Sequence, residues 1–266
     1  MTIGAALHEG DTVEPEDDQR LQVIVLAAGL STRFGGVKQL APVGPSGEAI
    51  LDVLLARAAG AGFTDAVVIT SPAIEEQMRA HLDAFRAPLR VEVVLQRSPA
   101  GTADAVLVAR SVIGGPFAVV NADDLYPASA FEMLAGHLSR MPEPAVVAFP
   151  VGKTLIGDRP VKRARVEIDS EHRLTAICET TLTAGEVAGD ELVSMNMWGL
   201  PPSMLPAFEH AVDAHVASGA NGEVLLPDVI ASEVARGETV RVLPCDEACI
   251  GITHAEDADI VRASLA

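Results

Sequence analysis

Short apolar runs alternate with segments of helical period through the first half of the chain, and this alternation restricts the fold more than any other feature. Residues 22–27, 66–70, 91–96 and 117–121 are short, continuous and rich in Val, Ile and Ala. Between them, residues 48–59 place Ile50, Leu51, Leu54 and Leu55 at i, i+3 and i+4 spacing, the signature of one buried helix face. Residues 72–85, with Pro72 at the start, and residues 102–112 and 128–138 complete the series as helices. Continuous apolar strands separated by helices of this length imply βαβ units and a parallel sheet covered on both faces. The expected fold is α/β, Rossmann-like and doubly wound, with a mostly parallel sheet sandwiched by helices. In such sheets the loops that follow the strands form the ligand edge.

The rhythm changes after Pro144. "AVVAFPV", "RARVEID", "RLTAICE" and "LVSMNMWGL" read as strands with little helix between them. They are expected to form a small antiparallel region on the substrate side. Residues 203–218 and 226–236 return to helix, residues 239–243 to strand, and Thr253-x-x-Glu256 reads as a capping box opening the last helix. Residues 1–20 are polar and acidic and read as a disordered tail. The expected organisation is one domain over residues 21–266, with a nucleotide-binding half at 21–143 and an acceptor half at 144–266.

A net charge of −18 argues against nucleic acid as a partner, because such surfaces are normally basic. It also gives each local cluster of cations meaning. No apolar run approaches the length needed to cross a bilayer, and the first residues lack a signal-peptide pattern, so the expectation is a cytoplasmic protein without a membrane partner. The three cysteines suit a reducing compartment. Cys245 and Cys249 lack the further ligands a zinc site needs, and Cys178 reads as a small core residue. The sequence is silent on oligomeric state.

The loop "LAAGLSTRFGGVKQLAPVG", residues 26–44, directly follows the first strand. It is not a Walker A loop, because Lys38 is followed by Gln39. It is not a dinucleotide fingerprint, because Ser31 stands where the second glycine belongs. The small residues Ala27, Ala28 and Gly29 allow close backbone approach to a flat ligand. Arg33 and Lys38 supply two cations suited to a triphosphate. In "NADDLYP", Asp123 and Asp124 follow the fourth strand, where hard carboxylate oxygens suit Mg²⁺ held jointly with phosphates. An N-cap is the competing reading of Asp123, as a helix start is for Asp228 in "LLPDVI". Trp198 reads as core or as a platform for a sugar ring. The histidines are scattered and carry no evident role.

Five segments in order, the two just quoted together with "QRSPAGTADA", "SMNMWG" and "LLPDVI", resemble the nucleotidyltransferases that activate sugar phosphates, the family of glucose-1-phosphate thymidylyl- and uridylyltransferases. The resemblance implies an enzyme that joins an NTP, UTP or dTTP by preference, to a sugar 1-phosphate, with Mg²⁺ as cofactor. It implies that Leu26, Ala27, Ala28, Gly29, Gln96, Gly101 and Thr102 hold the nucleotide. Arg33 and Lys38 would bind phosphates. Asp123 and Asp228 would hold the metal, with Asp123 catalytic, and Asn121, Glu179 and Asn196 would line the acceptor site. One departure stands out: the lysine that follows the glutamate in the thymidylyltransferases is Thr180 here, with Lys162, Arg163 and Arg165 as nearby cations. The same loop also resembles molybdopterin and polyol-phosphate cytidylyltransferases, and a nucleotide-binding protein without turnover is a further alternative.

Overall fold

The computed structural model describes residues 20–29, 34–86, 89–141, 143–157, 159–183, 185 and 188–265. Residues 1–19 of the expected tail and Arg33 lie outside the described residues. The chain opens with strands β1 (Gln22–Leu26), β2 (Asp65–Thr70), β3 (Arg90–Leu95) and β4 (Phe117–Asn121), alternating with helices α1 (Ile50–Gly60), α2 (Glu75–Ala84), α3 (Thr102–Val108) and α4 (Ala128–Leu138). β1 is flanked in parallel by β2 and β4, and β3 pairs in parallel with β2. Two helices are shorter than their sequence patterns. Ile74 N–H donates to Ser71 O, so Pro72 sits in a tight turn and α2 begins behind it. α3 stops at Val108, and the remainder tightens into a 3₁₀ turn at Arg110–Val112, whose last carbonyl accepts from Gln22 Nε2 at 2.8 Å.

The second half adds β5 (Asp124–Leu125), β6 (Ala145–Pro150), β7 (Val161–Ile168), β8 (Leu174–Leu182), β9 (Leu192–Leu200), α5 (Leu205–Ser218), α6 (Leu226–Ala235), β10 (Arg241–Pro244), β11 (Ile250–Gly251) and α7 (Asp257–Ser264). The main sheet runs β10-β6-β9-β4-β1-β2-β3, with the β7–β8 hairpin attached to β9, and β5 pairs separately with β11. β9 is antiparallel to both neighbours. The fold is thus a mostly parallel sheet between helical layers with an antiparallel part, as the sequence implied.

Strand alternation divides the core. Val23 and Val25 face one layer with Leu51, Phe131 and Leu134, while Ile24 faces the other with Val106, Phe208 and Ile230. Trp198 is fully buried in the second layer, so it is a core residue and not a sugar platform. Cys178 is a correction: it is exposed, because the face of β8 that carries Ala176 and Cys178, opposite the buried Ile177, has no layer over it. The expected capping box is also absent. Asp257, 1% exposed, accepts from the backbone N–H groups of Thr253 and His254 at 2.9 and 2.8 Å and so takes the place of the Thr253–Glu256 exchange. Among the described residues no helix is long and apolar enough to cross a membrane.

The β7–β8 turn is closed by Asp169. Its Oδ1 accepts from the N–H groups of Glu171 and Arg173, and its Oδ2 from Arg173 Nε. The backbone N–H and guanidinium of Arg173 hold its carboxyl down at about 2. A folded-state value below the ordinary one means that this contribution is present above about pH 4 and is lost as pH falls toward 2. Asp169→Asn keeps an acceptor but removes the titration. Urea unfolding between about pH 5 and pH 2 should therefore show a shallower acid decline for the variant than for the wild type.

Candidate active site

The parallel register of β1 and β4 sets Leu26 opposite Asn121, so the two quoted loops leave the sheet side by side. Ala122 N–H donates to Leu26 O at 3.1 Å and ties them at their roots. The glycine-rich loop returns through a 3₁₀ turn at Lys38–Leu40. Lys38 Nζ donates to Asp123 Oδ2, and each side chain retains 21% exposure. Lys38 and Asp123 thus compensate each other while remaining open to a ligand. Beside Lys38, Gln39 is 2% exposed and donates through Nε2 to the carbonyls of Ala27 at 3.0 Å and Gly29 at 3.2 Å. This brace was missed from sequence. Its only signal is an amide side chain adjoining the lysine in "VKQL".

A cavity of about 800 Å³ opens above these loops. Leu26, Ala28, Gly29, Lys38, Gln96, Gly101, Thr102, Asn121 and Asp123 line it, while Ala27 is buried beneath. That volume is in the usual range for a small-molecule site. Gln96 commits Nε2 to Gly101 O at 3.0 Å and Asp104 Oδ2 at 2.8 Å. Gly101 has φ 109°, and a Cβ there would collide with the backbone of Val224. The close approach is fixed by three bonds: Val224 N–H to Ala100 O, Ala103 N–H to Val224 O, and Leu226 N–H to Thr102 Oγ1.

A second cavity of about 220 Å³ adjoins the first and shares Thr102 and Asn121 with it. Asp124, Lys162, Arg163, Glu179 and Asn196 also line it. A bulge makes this wall. The β6–β9 register slips between Val147 and Ala148, leaving Met195 and Asn196 without partners, and Asn196 takes φ 60°. β9 pairs with β4 on one side of the bulge and with β7 on the other. Asn196 is thereby the middle link of a polar chain. Trp198 Nε1 donates to Asn196 Oδ1, Asn196 Nδ2 to Asn121 Oδ1, and Asn121 Nδ2 to Asp124 Oδ2, each at 2.8 Å.

Burial, with the neighbouring charge of Asp123, pushes the Asp124 carboxyl up to about 6. The cations Arg163 and Lys38 and the Asn121 hydrogen bond offset part of that rise. Asp123 is left as the more accessible of the two acids. It is not a helix cap, because α4 begins at Ala128 with Pro127 before it. Asp228 is exposed in the first turn of α6 and lines neither cavity. Among the described residues no group of three or more His, Cys, Asp and Glu could hold a metal ion. A single carboxylate is still a fit for Mg²⁺, which commonly takes one or two carboxylates and draws its other ligands from phosphates and water. Thr180 stands directly opposite Arg163 in the β7–β8 ladder, so both occupy one face of the hairpin. Arg165 is engaged by Glu191 at 2.8 Å.

The chain belongs to the MobA-like NTP transferase domain family, whose model matches residues 23–213. It is therefore a nucleotidyltransferase of the NTP-transferase type. No curated protein sequence matches it. Solved structures of similar fold include the inositol-1-phosphate CTP transferase from T. maritima, with a TM-score of 0.69 and 14% identity over 93% of this chain and 96% of that one. A UDP-glucose pyrophosphorylase complexed with UDP-glucose gives 0.69 and 17% identity over 92% and 98%. HddC from Yersinia pseudotuberculosis gives 0.66 and 15% over 92% and 99%.

Two substitutions test how the loops are held. Gln39→Ala leaves two backbone carbonyls without their donor and should cost about 1–3 kcal/mol in denaturant unfolding. Gly101→Ala forces a Cβ into a glycine-only conformation and against Val224, and should cost about 2–3 kcal/mol by the same measurement.

Proposed function

We propose that the enzyme condenses an NTP, with UTP or dTTP preferred, with a sugar 1-phosphate to give an NDP-sugar and pyrophosphate, with Mg²⁺ as cofactor. The observation that carries this reading is a large cavity lined by the Lys38–Asp123 pair that adjoins a smaller one at Thr102 and Asn121. The larger one takes the nucleotide and the smaller one the acceptor. With its Nε2 committed, Gln96 presents an acceptor oxygen, which suits the ring N–H of uracil or thymine and opposes cytosine, whose matching nitrogen is itself an acceptor.

A phosphate oxygen of the acceptor attacks the α-phosphorus in line, and pyrophosphate leaves. No covalent enzyme intermediate is required, because the acceptor is already an anionic nucleophile. In the nucleotide complex Lys38 would bind phosphate oxygens, and Asp123, released from that pair, would hold Mg²⁺. The metal, when bound, neutralises phosphate charge. Arg33 joins Lys38 in offsetting charge on the leaving group. Asn121, Asn196 and Glu179 orient the acceptor. Arg163, facing Thr180 across the hairpin, stands in for the missing lysine, with Lys162 beside it. Catalysis is positioning and electrostatic stabilisation.

The test is pyrophosphate release with Mg²⁺ across the common NTPs and dTTP against a panel of sugar 1-phosphates. Asp123→Ala should abolish metal-dependent release, and Lys38→Ala should lower kcat by about 10²–10³. Near-normal turnover of Asp123→Ala would sink its assigned role. Release confined to CTP with a non-sugar phosphate would replace the sugar reading with a cytidylyltransferase.

A further inference from the structure

A third cavity, about 350 Å³, lies against the acceptor cavity, and Lys162 and Arg163 line both. Its remaining polar wall is Arg159, His254, Thr154 and Thr253, with one acid, Asp257. That acid has nothing left to offer. It is 1% exposed, its Oδ1 accepts from Arg159 Nη2, and its Oδ2 accepts from the N–H groups of Thr253 and His254. Burial opposes its charge, but the hydrogen bonds from His254, Arg159 and Thr253 together hold its carboxyl below the usual range.

Arg159, Lys162, Arg163 and one ring nitrogen of His254 are donors. Arg159 Nη1 lies 2.7 Å from His254 Nδ1. A guanidinium cannot accept, so Nδ1 accepts and the ring hydrogen sits on Nε2. Arg163 bonds only neutral acceptors, the carbonyl of Thr154 at 2.9 Å, its hydroxyl at 3.3 Å and the carbonyl of Lys162 at 2.9 Å. Among the described residues neither Lys162 nor Arg163 is ion-paired with a carboxylate. In a chain with 37 acids and 19 Lys and Arg, two adjacent cations on a shared wall without a direct carboxylate partner, Arg163 being only within electrostatic reach of Asp124, are against expectation unless an anion completes them.

We propose that the third cavity binds a second acidic group of the acceptor, a phosphate or carboxylate remote from the reacting phosphate, so that the preferred acceptor is a sugar 1-phosphate carrying a further anion. The inference rests on the transferase reading. The acceptor spans the Lys162–Arg163 wall: its reacting phosphate lies in the second cavity beside Asn121 and Asp124, and its remote anion takes hydrogen bonds from Arg159, His254 Nε2 and the Thr253 hydroxyl. Charge-assisted contacts of this kind are the strong ones.

The site is tested in two ways. First, the ring nitrogens of His254 are followed by NMR in histidine-labelled protein titrated with inorganic phosphate, with His254→Ala providing the assignment. A saturable shift that is lost in Lys162→Gln supports the site. No shift, or one indifferent to Lys162→Gln, overturns it. Second, pyrophosphate release is compared for glucose 1-phosphate, glucose 1,6-bisphosphate and glucuronic acid 1-phosphate. The two acceptors that carry a second acidic group should show kcat/KM about tenfold higher. That advantage should fall to near parity in the Arg159→Lys, His254→Ala double variant, where lysine preserves a partner for the buried Asp257. It should survive in His254→Gln, which keeps an N–H donor. A phosphate shift at His254 without any preference between acceptors overturns the acceptor assignment in favour of a separate effector anion. A phosphate shift with no pyrophosphate from any pair removes the transferase reading, and the acceptor assignment with it, while leaving the anion site standing.

Discussion

Everything at the ligand edge depends on the parallel pairing of β1 with β4. Leu26 and Asn121 are the last partners in that ladder, and each is followed at once by a loop that leaves the sheet. The pairing brings residues more than eighty positions apart into contact, and Lys38 meets Asp123 only because of it. A slip of one residue would turn every side chain of β1 to the opposite face. Val23, Ile24 and Val25, all fully buried, hold the register by filling two different cores.

The wall of the second cavity follows from a second constraint, the bulge in β9. An uninterrupted β9 would keep a single set of neighbours along its length. Inserting Met195 and Asn196 lets one strand serve two partners, β4 and β7, and turns Asn196 toward Asn121. Trp198 and Asp124 terminate the resulting chain of side-chain hydrogen bonds, which runs from the core to the site. In a low-dielectric interior such a chain rigidifies the groups that it connects.

Much of this was legible in the sequence because the βαβ portion is written in strong periodicities. β4, α4 and β9 have the limits that the hydrophobic pattern gives, and the nucleotide-side residues from Leu26 to Asp123 that lie among the described residues gather in one region. What escaped depends on contacts distant along the chain. Gln39 is an ordinary polar residue until the loop folds back over Ala27 and Gly29. Cys178 looks apolar in an alternating strand, but no layer covers the face of β8 that carries it, opposite the buried Ile177. The Thr253–Glu256 motif lost to Asp257 because a buried carboxylate already aligned with two N–H groups leaves them no second acceptor to find. Pro72 opened a turn and not a helix, since the bond from Ile74 to Ser71 uses the backbone just where the helix would have begun.

β11 is only two residues long, yet it pairs with β5, and the neighbouring Ile252 N–H donates to Asp123 O at 2.9 Å. Gly251 has no side chain to spare there, because a Cβ would collide with the carboxylate of Asp124. The acidic loop is therefore backed by residues that a ribosome adds long after the loop itself. During translation the β1–β4 scaffold can assemble early, while the Asp123–Asp124 turn waits for its far-downstream support. The nascent chain is thus held back from full competence until that distant segment has been made.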